Sequence, residues 1–355
     1  MDFGLDESQQ AVADLAAGVL RGGADDSRVR IALDSVDGYD AAAWKAMGQA
    51  GLLALGLPES LGGDGMGALP IALVLTEVGR QVLPLPALAT LALGVLPIVG
   101  YGTAEQQARL LAEVADGRVL TAALRDAPGD CVQVAANALT GTRVGVPYAE
   151  QAHRVLVPTS TGTAVVDPQA NGVALHRTPT STGAPEYTIH LDHARPEAVI
   201  DASADDVDRC AMAGASALAD GVLTGALALT AEHLRTRRQF GRPLATFQAV
   251  AQQVAEVYIA SRAMHLAAIS AAWRMDAGLD VDEDLAVAGY WLAAEVPKAL
   301  QVCHHLHGGL GVDITYPLHR YYSHAKDLAR FAGGAAYRLG RLGNAGGQRA
   351  RREPC

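Results

Sequence analysis

The middle of the chain changes from a helical to a strand pattern, and this change restricts the possible folds more than any other feature. Residues 119–200 contain short alternating segments rich in valine and threonine, separated by turn signals such as Thr140-Gly141 and Asn171-Gly172. On both sides, apolar residues recur at helical spacing between glycines and prolines. We therefore predict an α+β chain that is mostly α, with a small β-sandwich or barrel inserted between two helical parts.

The same patterns predict the limits of the domains and of several helices. A helix is expected over Glu7 to Leu20, and Pro297 should kink a helix over Glu283 to Leu306 unless a neighbour accommodates the lost hydrogen bond. The end of the chain is rich in glycine and arginine, which is typical of a disordered tail. The predicted parts are an N-terminal helical domain, a middle β domain, a C-terminal helical bundle and the tail, at residues 1–118, 119–200, 201–342 and 343–355.

Composition and charge exclude several classes of protein. The chain has 355 residues, enough to bury a sizeable core, and its formal net charge of -10 opposes binding to a polyanionic nucleic acid. Its apolar runs contain charges before they reach bilayer-spanning length, and the acidic N-terminus has no secretory pattern. The four cysteines are scattered and predict neither a disulfide framework nor a metal site. We expect a soluble, cytoplasmic protein that binds no membrane.

Residues 235–248, RTRRQFGRPLATFQ, join two long apolar helical patterns and place cations and amides at the junction. Gly241 is a predicted helix stop and Pro243 cannot continue a helix, so the stretch predicts an αα-hairpin with a charged, aromatic corner. One interpretation is that the cations simply complement the negative end of a helix dipole. The other is a dinucleotide site, because a guanidinium pairs with phosphate oxygens and an aromatic ring covers an adenine or a ribose. The residues suited to that role are Arg237, Gln239, Phe240 and Gln248.

Three segments, in this order along the chain, carry a resemblance to a known family. They are GLPESLGGDG at 56–65, RRQFGRPLATFQ at 237–248 and HLHGGLGVDITYPLHRYY at 305–322. Together with the helix, β, helix order, they make the chain similar to the acyl-CoA dehydrogenases over nearly its whole length. The resemblance implies a flavoprotein with an N-terminal helical domain, a middle β domain and a C-terminal four-helix bundle.

The resemblance also implies how the corner is used. In that family, the signature residues reach across a dimer interface to an FAD held mainly by the neighbouring subunit. Carried over, Arg237 would meet the pyrophosphate, and the other three corner residues would surround the adenosine. The glycine-rich segment would bring its backbone close to the cofactor through Gly308, Gly309 and Gly311, and His305 stands where the family usually has glutamine.

A simpler explanation of the glycine-rich segment stays open, since its glycines can serve only a tight turn. The neighbouring His304, His305 and His307 predict no metal site. Their spacing of i, i+1 and i+3 does not place three ligands on one helix face.

The catalytic base that the resemblance implies is absent from this chain. The family removes a proton from the α carbon of a CoA thioester while a hydride leaves the β carbon, which requires a carboxylate base beside the substrate. The usual glutamate position is Ala332 here, and the alternative position, on the helix that leads into the corner, is Ala211. Alanine cannot accept a proton, so we predict no catalytic residue in this chain.

The flavin-ring side of the family's pocket is altered as well. Relatives hold the ring with a T-E-P-x-x-G-S-D loop and a later W-I-T strand, whereas this chain has LRDAPGD at 124–130 and GVP at 145–147. These replacements lack the hydroxyl groups, and Pro147 offers no amide donor. The resemblance therefore implies that the chain keeps the adenosine side of the site and has lost the ring side.

We therefore predict a degenerate, non-catalytic subunit similar to those of the heteromeric α2β2 acyl-CoA dehydrogenases of bacterial steroid side-chain degradation. It would share FAD with a homologous catalytic subunit, act with it on an acyl-CoA substrate, and pass electrons to electron-transfer flavoprotein. Three alternatives remain: a non-redox protein of the same fold, a helical interaction protein in which the FAD-side residues are accidental, and a self-sufficient homo-oligomeric dehydrogenase with a relocated base at Glu256, Glu295 or Asp327.

Overall fold

A computed structural model describes residues 4–21 and 26–352 of the chain. The predicted helix over Glu7 to Leu20 is confirmed with these bounds, because Asp6 and Gln9 form a capping box at its start. A short helix from Asp26 to Asp34 was not predicted. The N-terminal helices are α1 (Glu7–Leu20), α2 (Asp26–Asp34), α3 (Ala41–Gln49), α4 (Ala68–Gln81), α5 (Leu96–Tyr101) and α6 (Ala104–Leu110).

Two β-sheets follow the N-terminal helices. Their strands are β1 (Leu120–Ala122), β2 (Arg125–Asp126), β3 (Gln133–Ala135), β4 (Ala138–Pro147), β5 (Arg154–Thr159), β6 (Gly162–Val166), β7 (Val173–Thr178), β8 (Glu186–Ala194) and β9 (Ala198–Ile200). One sheet has the order β1-β5-β6-β9, and β1 is parallel to β5; the other has the order β2-β4-β8-β7, with β3 also paired to β4.

The turn predicted at Thr140-Gly141 is wrong, because both residues lie inside β4. Gly141 has a φ of 136°, and the pairing of β4 with β8 shifts register between Leu139 and Gly141. A local irregularity of this kind bends a strand without ending it. The glycine therefore marks a bulge, which has the same sequence signal as a turn.

Long helices form the C-terminal part, and the predicted fold class is confirmed. They are α7 (Ala204–Thr236), α8 (Gln248–Asp276), α9 (Asp282–Tyr290), α10 (Val296–His307), α11 (Leu318–Phe331) and α12 (Ala335–Arg352). A hairpin of two short strands, β10 (Arg238–Gln239) and β11 (Arg242–Pro243), separates α7 from α8.

By length and composition, α7 could span a membrane, with a window of mean hydropathy 1.4. Of that window, 72% is buried inside the structure, as expected of a core helix.

Helix α7 packs closely on α4 and organises the core around it. A Cβ on Gly221 would overlap the carbonyl oxygen of Thr76, and one on Gly79 would overlap the carbonyl oxygen of Leu218. The two backbones can approach this far only because both positions are glycine. This contact fixes α7 against the N-terminal helices and thereby sets the position of its C-terminal end.

Pro297 is accommodated by a wider helical turn. A π-helical segment, Trp291–Glu295, directly precedes α10, and Pro297 lies in the first turn of α10. Pro97 follows a second π-helical segment, Leu88–Val95, in the same way. A π segment changes the hydrogen-bond partners of the helix, which removes the need for the amide that proline lacks.

The last helix differs from the predicted disordered tail at 343–355. Helix α12 continues to Arg352, and residues 353–355 lie outside the described part of the chain. Its first turns are fixed by Arg338, which is buried and donates to the carbonyl oxygen of Ala332 at 2.6 Å. Once a helix has started, each further residue adds one hydrogen bond, which favours continuation of α12 into the glycine- and arginine-rich segment.

Candidate functional site

The corner between α7 and α8 is more open than the sequence predicts. Helix α7 ends at Thr236, and Arg237 is its C-cap with an extended backbone. The predicted helix stop at Gly241 is therefore wrong, because Gly241 with φ 79° forms the turn of the β10–β11 hairpin. The hairpin carries Gln239 outward, and α8 begins at Gln248 on its far side.

An aromatic ring stands out from this hairpin. The side chain of Phe240 is 91% exposed, and its backbone has a φ of 51°. A bulky residue at positive φ is strained, and such strain clusters at functional sites. The Phe240 ring makes an edge-to-face contact with Phe247, with 6.2 Å between ring centroids. This contact supports one side of the Phe240 ring and leaves the other side exposed to solvent.

The arginines of the corner differ in how they are bonded. Arg235 donates to the carbonyl oxygen of Ala231 at 3.2 Å, Arg238 donates to that of Gly241 at 3.2 Å, and the guanidinium of Arg242 lies 4.1 Å from the centroid of the Phe247 ring. Arg237 differs from them. Among the described residues, nothing accepts a hydrogen bond from its guanidinium or pairs with its charge, and its side chain is exposed. Local contacts engage the other three cations, whereas Arg237 is free to bind an anion.

The glycine-rich segment presents bare backbone at the end of α10. Gly308 has φ 60° and ψ −137°, a conformation that favours glycine, and it opens a 3-10 turn that runs to Val312. A Cβ at Gly308 or Gly309 would meet no atom within 4 Å, so this backbone faces open space. Gly311 is different, because a Cβ there would lie 3.1 Å from the carbonyl oxygen of His304. The simpler explanation, tight packing, therefore fits Gly311, while His305 and the first two glycines are exposed.

A stack of two imidazole rings joins the corner to the glycine-rich segment. His233 near the end of α7 and His307 at the end of α10 have ring centroids 4.4 Å apart and nearly parallel planes. His307 Nδ1 donates to the carbonyl oxygen of Cys303 at 2.8 Å, and the Tyr316 hydroxyl lies 3.2 Å from Nε2. Burial lowers the pKa of both histidines, and neighbouring Arg237 lowers that of His233 further. Two neutral rings therefore hold the two predicted segments at one end of the bundle.

Both predicted base positions are closed. Ala332 and Ala211 are fully buried, and neither has space for a longer side chain without movement of its neighbours. The Arg338 side chain contacts the first of them: its Nε donates to the carbonyl oxygen of Ala332, and its Nη2 is 2.7 Å from the sulfur of Met212, the residue after Ala211. A buried cation is therefore bonded to the backbone of one predicted base position.

The two predicted ring-side segments differ, because Arg125 is held in an internal ion pair whereas Pro147 lines a cavity. Arg125 pairs with Asp208 at 3.0 Å, and Asp208 lies 3.7 Å from Arg338. The carbonyl oxygen of Pro147 accepts the hydroxyl of Thr121 at 2.7 Å. Arg125 and the Pro147 carbonyl oxygen are thus already bonded within the chain, and Pro147 has no amide to donate to a flavin ring. The open glycines, the exposed aromatic ring and the unpaired Arg237 do fit the adenosine and pyrophosphate end.

The three carboxylates proposed as a relocated base have structural surroundings. Asp327 accepts from the amides of Ser181 and Thr182 at 3.0 and 2.9 Å. Glu295 bonds Lys298 at 2.8 Å, and Glu256 is exposed on α8. In the described parts of the chain, no group of three or more His, Cys, Asp or Glu side chains is placed to hold a metal ion.

Sequence reasoning missed a cavity of about 430 Å³ between α2, α4, α7, α11 and the β-sheets. Its floor is apolar, and the partly buried His324 of α11 lines it. Phe331 also lines it, whereas the adjacent Ala332 is turned into the protein interior. Two residues named from the sequence lie at the cavity, since Pro147 lines it and Ala332 follows the lining residue Phe331. The cavity itself was not predicted, because its other walls come from segments far apart in the sequence.

Comparisons with known proteins agree with this geometry. The family model described as "Acyl-CoA dehydrogenase, N-terminal domain" matches residues 6–118, and "Acyl-CoA dehydrogenase, C-terminal domain" matches 206–345. The chain is 47% identical to acyl-CoA dehydrogenase FadE28 of Mycobacterium tuberculosis over 352 residues, which cover 97% of this chain and 98% of that protein.

Two solved structures superpose on nearly the whole chain. One is the ChsE4-ChsE5 complex from Mycobacterium tuberculosis, with a TM-score of 0.91, 32% identity and coverage of 100% of both chains. The other is a variant of the Tcur3481-Tcur3483 steroid ACAD, with a TM-score of 0.90, 35% identity and coverage of 97% of this chain and 99% of that chain.

Proposed function

Because the chain belongs to the acyl-CoA dehydrogenase family, we propose that it is the non-catalytic subunit of a heteromeric enzyme and completes the FAD site of a homologous catalytic subunit. One contrast carries the proposal. The adenosine-side residues are open and unpaired around Arg237, while both base positions, Ala332 and Ala211, are buried alanines beside a buried arginine.

The relatives support a partner of the same family. The ChsE4-ChsE5 complex and the Tcur3481-Tcur3483 steroid ACAD each pair two differently named chains. By analogy we propose an α2β2 assembly in the cytoplasm that desaturates the CoA thioester of a steroid side chain. Electron-transfer flavoprotein would be the acceptor.

In this mechanism, the chain binds and orients the cofactor and leaves the proton transfer to its partner. FAD, when bound, supplies the acceptor for the hydride from the β carbon of the substrate. Arg237 would bind the pyrophosphate, and Gln239, Phe240 and Gln248 would surround the adenosine. The backbone of Gly308 and Gly309 is accessible for close approach, since no atom of the chain covers it. The carboxylate base would come from the partner subunit.

The substitution Arg237→Ala tests this role. We expect the assembly formed with the partner subunit to bind FAD roughly ten- to a hundredfold more weakly, because a charge-assisted hydrogen bond contributes about 1.5–3 kcal/mol. Dialysis followed by flavin absorbance measures the loss. Arg235→Ala is the matched control, since it removes an equally exposed cation that is bonded within its own helix.

Retention of full flavin content by the Arg237→Ala assembly, at the level of the Arg235→Ala control, would refute the assigned role of Arg237. It would favour the helical interaction protein, in which these residues have no cofactor to bind. A loss of flavin in both variants to the same extent would indicate a general effect of charge at the corner.

A further inference from the structure

The two stacked imidazole rings at the end of the bundle differ in how their nitrogens are used. Both nitrogens of His307 are bonded within the chain, Nδ1 to the carbonyl oxygen of Cys303 at 2.8 Å and Nε2 to the hydroxyl of Tyr316 at 3.2 Å. His233 is different, because no residue in the described part of the chain bonds to either nitrogen of its partly exposed ring. Packing therefore explains His307 and leaves the nitrogens of His233 without a role.

The ring of His233 is held in place from two sides. Its face lies on the ring of His307, with centroids 4.4 Å and planes 20° apart. On its own helix, the carbonyl oxygen of His233 accepts the amide of Arg237 at 2.8 Å. Since His307 directly precedes Gly308, the ring lies between the two segments that the proposed function assigns to the cofactor. A group that is already in position binds a ligand at a lower entropic cost.

The chemistry of His233 matches that of Arg237. His233 lies four residues before Arg237, which places both at the same end of α7, and Arg237 is close enough to lower the pKa of His233. A guanidinium binds phosphate oxygens through paired hydrogen bonds, and a neutral imidazole offers one further N–H donor. A pyrophosphate has more acceptor oxygens than one guanidinium can use. The pair is therefore suited to bind one anion together.

We propose that His233 is a second anion-binding residue of the shared cofactor site and donates a hydrogen bond to the pyrophosphate that Arg237 binds. This inference rests on the proposed function, because it assigns a further residue to the same FAD. His233 lies outside the segment 237–248 that carries the family resemblance, so the assignment comes from the stack and the free nitrogens alone.

The proposal predicts that FAD binding depends on pH. The charged and titratable groups that act on His233 are Arg237 of its own helix and His307 of α10. In the free chain, burial lowers the pKa of His233 and Arg237 lowers it further. A bound pyrophosphate is negative and offsets the charge of Arg237, so His233 is protonated more readily in the bound state. Because the bound state takes up protons, affinity for FAD should rise as the pH falls.

FAD binding to the deflavinated assembly of this chain with its partner subunit tests the proposal. Flavin fluorescence at pH 8.0 and 6.0 measures the affinity on both sides of the ordinary histidine pKa of about 6.5. His233→Phe keeps a ring on His307 and removes both nitrogens. We expect it to bind FAD about three- to tenfold more weakly at pH 8.0, as for one lost hydrogen bond. The difference should widen at pH 6.0, where only the unmodified assembly gains charge at this position.

A second variant separates the hydrogen bond from the charge. The amide of His233→Gln donates but does not titrate, so its affinity at pH 8.0 should be within about threefold of that of the unmodified assembly and should not rise at pH 6.0 with it. His176→Phe, at an exposed position of β7, is the control and should leave both affinities unchanged. Thermal unfolding at both pH values checks that each assembly is folded.

Two results would overturn the inference. One is equal FAD affinity of the folded His233→Phe assembly and the unmodified assembly, and the other is the same rise in affinity on acidification in both. If His233→Phe fails to fold, an undiminished rise in His233→Gln decides against the inference in the same way. A loss of FAD in Arg237→Ala without any change in the His233 variants refutes this inference alone, whereas no change in any of these variants refutes the proposed function as well.

Discussion

At the scale of single residues, the side chains around Ala332 close the position where the sequence analysis expects a base. Ala332 is packed in the interior, and the side chain that contacts its backbone, Arg338, is itself buried and shares Asp208 with Arg125. Removing a carboxylate and leaving an empty space would have cost stability through the cavity. Ala332 is fully buried and its carbonyl oxygen accepts a hydrogen bond from the buried Arg338, so we expect that a carboxylate cannot be introduced there by one substitution without strain.

The substitution Ala332→Glu should therefore destabilise the chain without creating activity. We expect a loss of about 1–3 kcal/mol in the free energy of unfolding, because a larger side chain is forced into a packed site. Urea unfolding measures the loss, and Ala336→Glu on the exposed face of α12 is the control, with an expected change within about 0.5 kcal/mol. Acyl-CoA oxidation by the Ala332→Glu chain alone would contradict this interpretation.

At the scale of elements, the end of the bundle depends on two helices that meet through histidines. The stack of His233 on His307 is the contact that links α7, which leads into Arg237, to α10, which leads into the glycine-rich segment. Burial lowers the pKa of each ring. When both rings are protonated, they repel each other and Arg237. The stack of His233 on His307 is therefore stable only when the imidazoles are neutral.

Acidification should weaken the stack of His233 on His307 and lower the stability of the fold. The folded-state pKa of both histidines is below the unfolded value of about 6.5, so the unfolded chain binds more protons and stability falls as the pH drops below about 7 toward the folded pKa. Thermal unfolding at pH 7.5 and 5.5 measures the loss. His233→Gln should lose less stability than the unmodified chain, whereas His193→Asn, at an exposed position, should behave like it. Equal losses in all three chains would show that the stack does not control the response.

At the scale of the whole molecule, the sequence predicts architecture better than sites. The order of helices and strands follows from local periodicity, which is why the bounds of α1 were predicted correctly. The turn at Thr140-Gly141 failed because a bulge and a turn use the same glycine signal. The motif alone was enough to select Arg237. That it differs from Arg235, Arg238 and Arg242, which all have contacts within the chain, could be learned only from the structure.

Local sequence patterns could not predict which residues meet in the buried sites. Nothing in the sequence connects Arg338 with Asp208 and Arg125, since 130 residues separate the first from the second. The cavity has the same origin, because residues of five segments meet only after α7 has packed on α4. Long-range contacts of this kind are set by packing rather than by propensity.

The most direct test of the central claim is the flavin content and acyl-CoA oxidation of the purified chain, measured alone and after co-expression with a homologous subunit that keeps the catalytic glutamate. The account predicts a colourless and inactive chain on its own. With the partner, it predicts an active complex that holds one FAD for each pair of unlike subunits. A chain that, purified alone, carries one FAD per protomer and oxidises acyl-CoA would contradict it.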